Sequence, residues 1–337
     1  MIIDVHGHTN GAGHLGGLKS GYLAARGVHG KGNLACPDEA VANAVKNHVE
    51  NTLNKVGTDI QFISPRPFGL MHAEKPTRIV HWFCEASNNA VATTVKLAPD
   101  HYRPVGALPQ SPYEPITSTF EELDRLNEQG FIGVIIDPDP TENGALREGY
   151  ADDGHFPGLG DEYWFPLYEK LEKMDMPMHI HGTGCKDPWD TYSSYFIATE
   201  TRTVISMVEG KVFKSFPKLK VVVSHGGGAV PYQLGRYIAF FDRHEPGFDF
   251  EAEFKKFYYD AGLYTQEGLD LLFRVAGTDH CMFATENPGT GSHKNPKTGQ
   301  MMDDTKPLIE GIEWLSDQDK KNIFEDTARK VFSKAKI

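Results

Sequence analysis

The chain has 337 residues, 39% hydrophobic and 24% charged, with 20 Phe and 13 Tyr, a composition that excludes a disordered polar segment and suits one large core. A formal net charge of −12 argues against a nucleic-acid partner, which would need clustered Lys and Arg. The first strand begins near Ile2 and no run approaches the roughly 18 apolar residues that span a bilayer, so neither a signal peptide nor membrane insertion is expected. Four dispersed cysteines, Cys36, Cys84, Cys185 and Cys281, form no CxxC pair and fit reduced thiols in the cytoplasm.

The first predicted strand, Ile2 to Val5, runs into His6-Gly7-His8. A Gly-rich insertion from Thr9 to Cys36 follows, with His14, Lys19, Tyr22, Arg26 and His29; a loop of that length in a compact domain is ordinarily a lid or binding loop. Helical spacing then predicts Pro37 to Lys55 as a helix, ahead of a strand over Asp59 to Ser64. The alternation continues through helix Thr77 to Lys96, strand Arg103 to Leu108, helix Thr119 to Gln129 and strand Phe131 to Ile136. Helix Trp164 to Lys173, strand Pro177 to His181, helix Glu200 to Phe213 and strand Leu219 to Ser224 come next, and Pro231 opens another helix. Strand Phe257 to Asp260, helix Gln266 to Val275 and strand Cys281 to Thr285 complete the series, with two more helices over Pro307 to Leu315 and Asp317 to Phe332. Eight βα units in strict alternation predict an α/β fold: a closed (β/α)₈ TIM barrel, one domain over residues 1–337, with a long first βα loop and extra C-terminal helices outside the barrel.

Such a barrel carries its chemistry at the C-terminal ends of its strands. With 15 His in the chain, roughly 0.7 HxH triplets arise by chance, so specificity lies in position rather than in the motif. His6 and His8 close strand one at i and i+2 and share a face. Strand five ends in His179-Ile180-His181, strand six in Ser224-His225 and strand eight in Thr285-Glu286. Glu286 continues a row with Met282 and Ala284, and an inward carboxylate needs a charged partner. A lone strand-end His is more often structural than a ligand; convergence of four such ends on one mouth reverses that. His6, His8, His181 and Glu286 therefore form the expected ligand set for one divalent metal, zinc first, with manganese and iron as alternatives. His179, one layer deeper, is assigned a supporting or packing role. Strand four ends in Ile135-Ile136-Asp137, without a Lys for a bridging carbamate, which argues for one metal rather than two.

His225 is the candidate general base, because its ordinary pKa near 6.5 suits proton transfer at neutral pH. Gly226-Gly227-Gly228 behind it reads equally as a tight turn or an anion-binding backbone. Arg66 is the candidate clamp for a substrate carboxylate, with a structural ion pair as the plain alternative. Phe68, Tyr192, Tyr195 and Asn287 are further substrate-binding candidates, and Trp82 and Trp189 add aromatic surface that is equally often packing.

Several stretches carry a resemblance: IIDVHGH (Ile2 to His8), SPRPF (Ser64 to Phe68), FIGVIIDPDP (Phe131 to Pro140), VSHGGGAVPYQLG (Val223 to Gly235), FATENPG (Phe283 to Gly289) and FEDTARKVF (Phe324 to Phe332). The chain resembles the amidohydrolase superfamily, in the amidohydrolase-2 branch that holds aminocarboxymuconate-semialdehyde-type decarboxylases, a hydratase of 4-oxalomesaconate and a hydrolase of a lignin-pathway meta-cleavage product. The resemblance implies that His6, His8, His181 and the strand-eight acid bind the metal, with His225 beside the substrate. Where the decarboxylases usually carry Asp, this chain has Glu286, as the hydratase and the hydrolase do, and Glu286 is thereby implied as a second catalytic group. Ser64 to Phe68 and Val80 to Glu85 look more like the hydrolase. The implied function is therefore metal-dependent hydrolysis of a carbon–carbon bond in a ring-opened product of aromatic catabolism, with metal-activated water and a proton taken by His225 or Glu286. A hydratase of the 4-oxalomesaconate type is the alternative, and a non-oxidative decarboxylase of an aromatic or muconate acid comes third. The expected partner is a small carboxylated molecule, and the expected assembly a homo-oligomer.

Overall fold

Runs such as Val221-Val222-Val223 are apolar on both faces, so they are stable only between an inner core and an outer layer of helices. The structure, a computed structural model describing residues 1–9, 14–32, 38–141, 156–183 and 191–337, realises that arrangement. In chain order the main elements are β1 (Ile3–His8), α1 (His14–Ala25), α2 (Asp38–His48), β2 (Ile60–Ser64), α3 (Arg78–Leu97), β3 (Tyr102–Ala107), α4 (Phe120–Glu128) and β4 (Gly133–Ile136). They continue with α5 (Phe165–Met174), β5 (Met178–Ile180), α6 (Tyr195–Glu209), β6 (Val221–Val223), α7 (Val230–His244), β7 (Tyr258–Asp260), α8 (Gln266–Ala276) and β8 (Cys281–Met282).

Among the described residues eight parallel strands lie in the order β1 to β8. Val5 N donates to Phe283 O at 3.0 Å and His8 N to Asn287 O at 3.2 Å, bringing the last strand back to the first. This is the (β/α)₈ barrel that the alternation predicts. The barrel interior gathers Ile3, Val5, Phe62, Val105, Ala107, Ile135, Val222 and Met282 with Phe332 from the C-terminal segment, and the Phe332 ring meets Phe62 edge-on at 5.0 Å. Burying a side chain of this size contributes about 1.5–3 kcal/mol. No helix among the described residues is long and apolar enough to cross a membrane.

Three local departures from the sequence reading bear on the site. In β1, Asp4 pairs with Gln61 but Gly7 with Ile63, so one extra residue bulges the strand between them. Strand eight stops at Met282 rather than Thr285, and Glu286 lies in the left-handed region at φ 59°; it reaches the mouth through a turn, not by strand alternation. The insertion after β1, expected to be a loop, contains the twelve-residue helix α1, while residues 10–13 and 33–37, Cys36 among them, fall outside the described residues.

Candidate metal centre and active site

The β1 bulge leaves His6 and His8 both directed at the mouth while Asp4 turns to its neighbours. The Asp4 carboxylate accepts from Thr285 Oγ1 at 2.6 Å and Gln61 Nε2 at 2.9 Å, and from the amides of His6 and Thr285 at 3.1 Å each. Burial pushes Asp4 up to about 7 against those donors. The four bonds tie the end of β1 to β2 and to the chain leaving β8, fixing the frame on which the imidazoles stand.

In each of the three imidazoles of the expected ligand set, Nδ1 is taken by a protein partner. His6 Nδ1 donates to Asp260 Oδ2 at 2.8 Å, His8 Nδ1 lies 3.1 Å from Ser64 Oγ, and His181 Nδ1 donates to Gly182 O at 2.6 Å. What remains is Nε2, and the Nε2 atoms of His6 and His181 are buried without a hydrogen-bond partner. One donor atom from each of His6, His8, His181 and Glu286 lies within 4.8 Å of the others. Buried polar atoms left unpaired are costly unless a ligand completes them. Burial lowers His6 to about 4 and, with the neighbouring imidazoles, holds His8 well below its usual value, so both keep their lone pairs at neutral pH. Glu286 is driven the other way from its burial, far below the carboxylate range, by His181 and His225. Neutral nitrogens around an ionised carboxylate are a donor set that fits a divalent cation.

Behind this set lies a residue that the sequence reading placed at a strand end without giving it a role. Asp260 closes β7, is fully buried, and uses both oxygens: Oδ2 accepts from His6 Nδ1 and from His179 Nε2 at 2.9 Å, Oδ1 from the amides of His225 at 2.8 Å and Gly262 at 3.1 Å. Burial would raise it, but His6 and His179 hold it well below the ordinary carboxylate range. His179 reaches Asp260 and Ser224 Oγ, at 3.1 Å. Its position in sequence, closing a strand like the other polar ends, was the signal for Asp260.

His225 follows β6 with φ 49°, and Gly226, Gly227 and Gly228 also lie in the left-handed region. The amides of Gly227 and Gly228 bond Ser224 O and His225 O, and that of Ala229 bonds Thr201 Oγ1, so the glycine run forms a tight turn. The His225 Nδ1 faces both oxygens of Glu200, at 2.9 and 3.0 Å, and Nε2 lies 3.5 Å from Glu286 Oε1. Burial opposes charge on His225, but Glu200 and Glu286 more than offset it and raise the imidazole well above its ordinary range. Tyr264 OH donates to Glu286 Oε2 at 2.8 Å. Glu200 and Tyr264 had no sequence signal: one lies on a helix, the other in the loop after β7.

The remaining candidates scatter. Arg66 follows β2, half-buried, and donates to Pro288 O at 2.9 Å. It lines a cavity of about 350 Å³ with Thr9, Lys19, Pro65, Leu70 and Phe83, and Lys19, on α1, donates to Gly69 O at 3.0 Å. Asn287 commits its amide to Asp303 at 2.7 Å. Tyr195 is buried against Phe196, Tyr192 is 64% exposed, and Trp82 packs on Tyr22. The Phe68 side chain and Trp189 lie outside the described residues.

Known proteins place this site in context. The family profile described as Amidohydrolase matches residues 3–334. A 2-keto-4-carboxy-3-hexenedioate hydratase of a Sphingobium species is 32% identical, the alignment covering 98% of this chain and 96% of that protein. A 2-amino-3-carboxymuconate-6-semialdehyde decarboxylase of Dictyostelium discoideum is 26% identical over 82% of this chain and 73% of its own length. Among solved structures, that of 4-oxalomesaconate hydratase from Rhodopseudomonas palustris superposes with a TM-score of 0.86 at 28% identity, covering 99% of this chain and 96% of that one. By profile, by end-to-end similarity and by fold, the chain belongs to the amidohydrolase family.

Proposed function

We propose that the chain is a metal-dependent hydratase, a lyase adding water across the conjugated double bond of a small unsaturated oxo-acid that carries several carboxylates. The observation that carries this reading is the presence of Lys19 and Arg66 on one cavity beside Thr9, the residue after His8. A polycarboxylate taken from water requires a partner for each charge; Arg66 and one metal fall short, and Lys19 supplies what is missing. Similarity to two hydratases supports the same choice. The carbon–carbon hydrolysis expected first from the sequence has less behind it, because of the aromatic residues named for an aryl substrate Tyr192 is largely exposed and Trp82 packs within the fold.

A divalent cation on His6, His8, His181 and Glu286, zinc by the character of the donors, would act as a Lewis acid toward oxygen. Hydration breaks one O–H bond of water and the π bond and forms one C–O and one C–H bond, so the protein must take one proton and return one. Glu286 and His225, 3.5 Å apart, are placed for that exchange: the ionised carboxylate accepts, and the imidazole, held protonated by its two carboxylate neighbours, donates. With His225 Nδ1 committed to Glu200, Nε2 is the exchanging atom. Arg66 and Lys19 hold the substrate's distal carboxylates in register with that pair.

The reading is tested by incubating the zinc-loaded protein with 2-keto-4-carboxy-3-hexenedioate or 4-oxalomesaconate in ¹⁸O-labelled water. The expected outcome is loss of conjugated absorbance and a product heavier by one labelled water. Faster cleavage of an aryl-substituted meta-cleavage product would restore the hydrolase, and carbon dioxide released from 2-amino-3-carboxymuconate-6-semialdehyde would favour a decarboxylase.

A further inference from the structure

His225 stands on a run of glycines in left-handed backbone, a segment with little stiffness of its own, yet a group that exchanges protons must hold one orientation. The first turns of α6 impose it. A Cβ on Gly182 would stand 3.0 Å from Phe196 Cα, and one on Gly228 would stand 2.6 Å from Ile197 O, so the helix backbone lies directly against the loops that follow β5 and β6. Thr201 accepts from Ala229 N at 2.8 Å, and the Phe196 ring meets His181 edge-on at 5.8 Å. Between the two loops sits Glu200, fully buried, with Oε1 accepting from Gly182 N at 3.2 Å and from His225 Nδ1 at 2.9 Å.

No Lys or Arg pairs with Glu200 among the described residues, and a buried carboxylate without a cation costs several kcal/mol. Glu200 is thus held between the Gly182 amide and the His225 ring, and the ring is the one side chain that meets both of its oxygens among the described residues. We infer that Glu200 is a positioning residue that bridges the metal-ligand loop at His181 to the His225 ring, keeps a proton on Nδ1, and so leaves Nε2 as the one atom of that ring open to substrate. The choice of substrate rests on the hydratase reading; the ring geometry does not.

The test compares Glu200→Met, which removes both acceptor oxygens at similar volume, with Glu200→Gln, which keeps one. In protein labelled with ¹⁵N-histidine, wild type should show a His225 Nδ1–H signal, assigned by its loss in His225→Asn; Glu200→Gln should keep it and Glu200→Met should lose it. The Met variant should lose at least about a hundredfold in kcat, the Gln variant between about threefold and tenfold, with KM and zinc content unchanged in both. A Met variant that keeps the Nδ1–H signal or its kcat, or that loses zinc in step with activity, overturns the assignment. If Glu200→Met does not fold, Glu200→Gln decides, and wild-type kcat there overturns it. The NMR arm needs no substrate, so a wild-type Nδ1–H signal that depends on Glu200, alongside failed hydration, would sink only the assigned reaction.

Discussion

Asp260 meets His6 through a 2.8 Å hydrogen bond to Nδ1, so the nitrogen facing the centre is set from behind by an aspartate. An amide in its place cannot accept on both sides, and Asp260→Asn must give up either the His6 and His179 pair or the amides of His225 and Gly262. Zinc affinity should fall about 10–100-fold, as when other supporting carboxylates are removed. Chelator competition checks this, and unchanged affinity would remove Asp260 from the metal site.

The purified protein should carry close to one equivalent of divalent metal. His6→Ala and His181→Ala should lose most of it, since each removes a donor from a closed set. His179→Ala should keep it, because that ring reaches Asp260 and Ser224 rather than the centre. Elemental analysis giving two equivalents, or loss in the His179 variant, would redraw the ligand set.

Lys19→Met should raise KM for a polycarboxylate substrate about tenfold and leave kcat nearly unchanged, as expected when binding is lost equally from ground and transition states. A monocarboxylate analogue should be indifferent to the change. Equal effects on both substrates would show that Lys19 serves α1 rather than the ligand.

His72 reports on pH. It is fully buried, and burial lowers it to about 4 from the 6.5 of the unfolded chain. Between those values the unfolded state binds more protons, so the stability tied to neutral His72 is present above pH 6.5 and is lost as pH falls toward 4, by about 3 kcal/mol in all. Denaturant unfolding of the metal-free protein across this window should show a steeper acid loss for wild type than for His72→Gln. Parallel curves would mean that the ring is not held neutral.

The barrel was legible because a strand buried on both faces leaves a continuous apolar run, and the polar residues ending those runs stood out against it. His6, His8, His181, His225 and Glu286 were named on that contrast, and the structure brings them together. Glu286 arrived by different local geometry, since β8 ends at Met282 and no alternation rule anticipates a left-handed turn. Glu200 was invisible for another reason: the predicted helix began at that residue, but α6 starts five residues earlier, and a helical Glu looks solvent-facing until the neighbouring loops are seen to cover it. Lys19 was noted in the insertion, yet its place on one cavity with Arg66 depends on α1 packing through Leu18 and Tyr22 against Ile79 and Phe83 of α3.

Of the two cavity cations, Arg66 follows a barrel strand as the metal donors do, but Lys19 does not. Lys19 rides on the insertion between β1 and β2, whereas the imidazoles and Asp260 are rooted in barrel strands or the residues directly after them. On the proposed hydratase reading, substitutions in the insertion are expected to change which acid is accepted without disturbing the metal donors. Such a division offers a route for engineering this barrel: vary the outward positions of α1 around Lys19, keep the buried Leu18 and Tyr22, and hold the strand ends fixed.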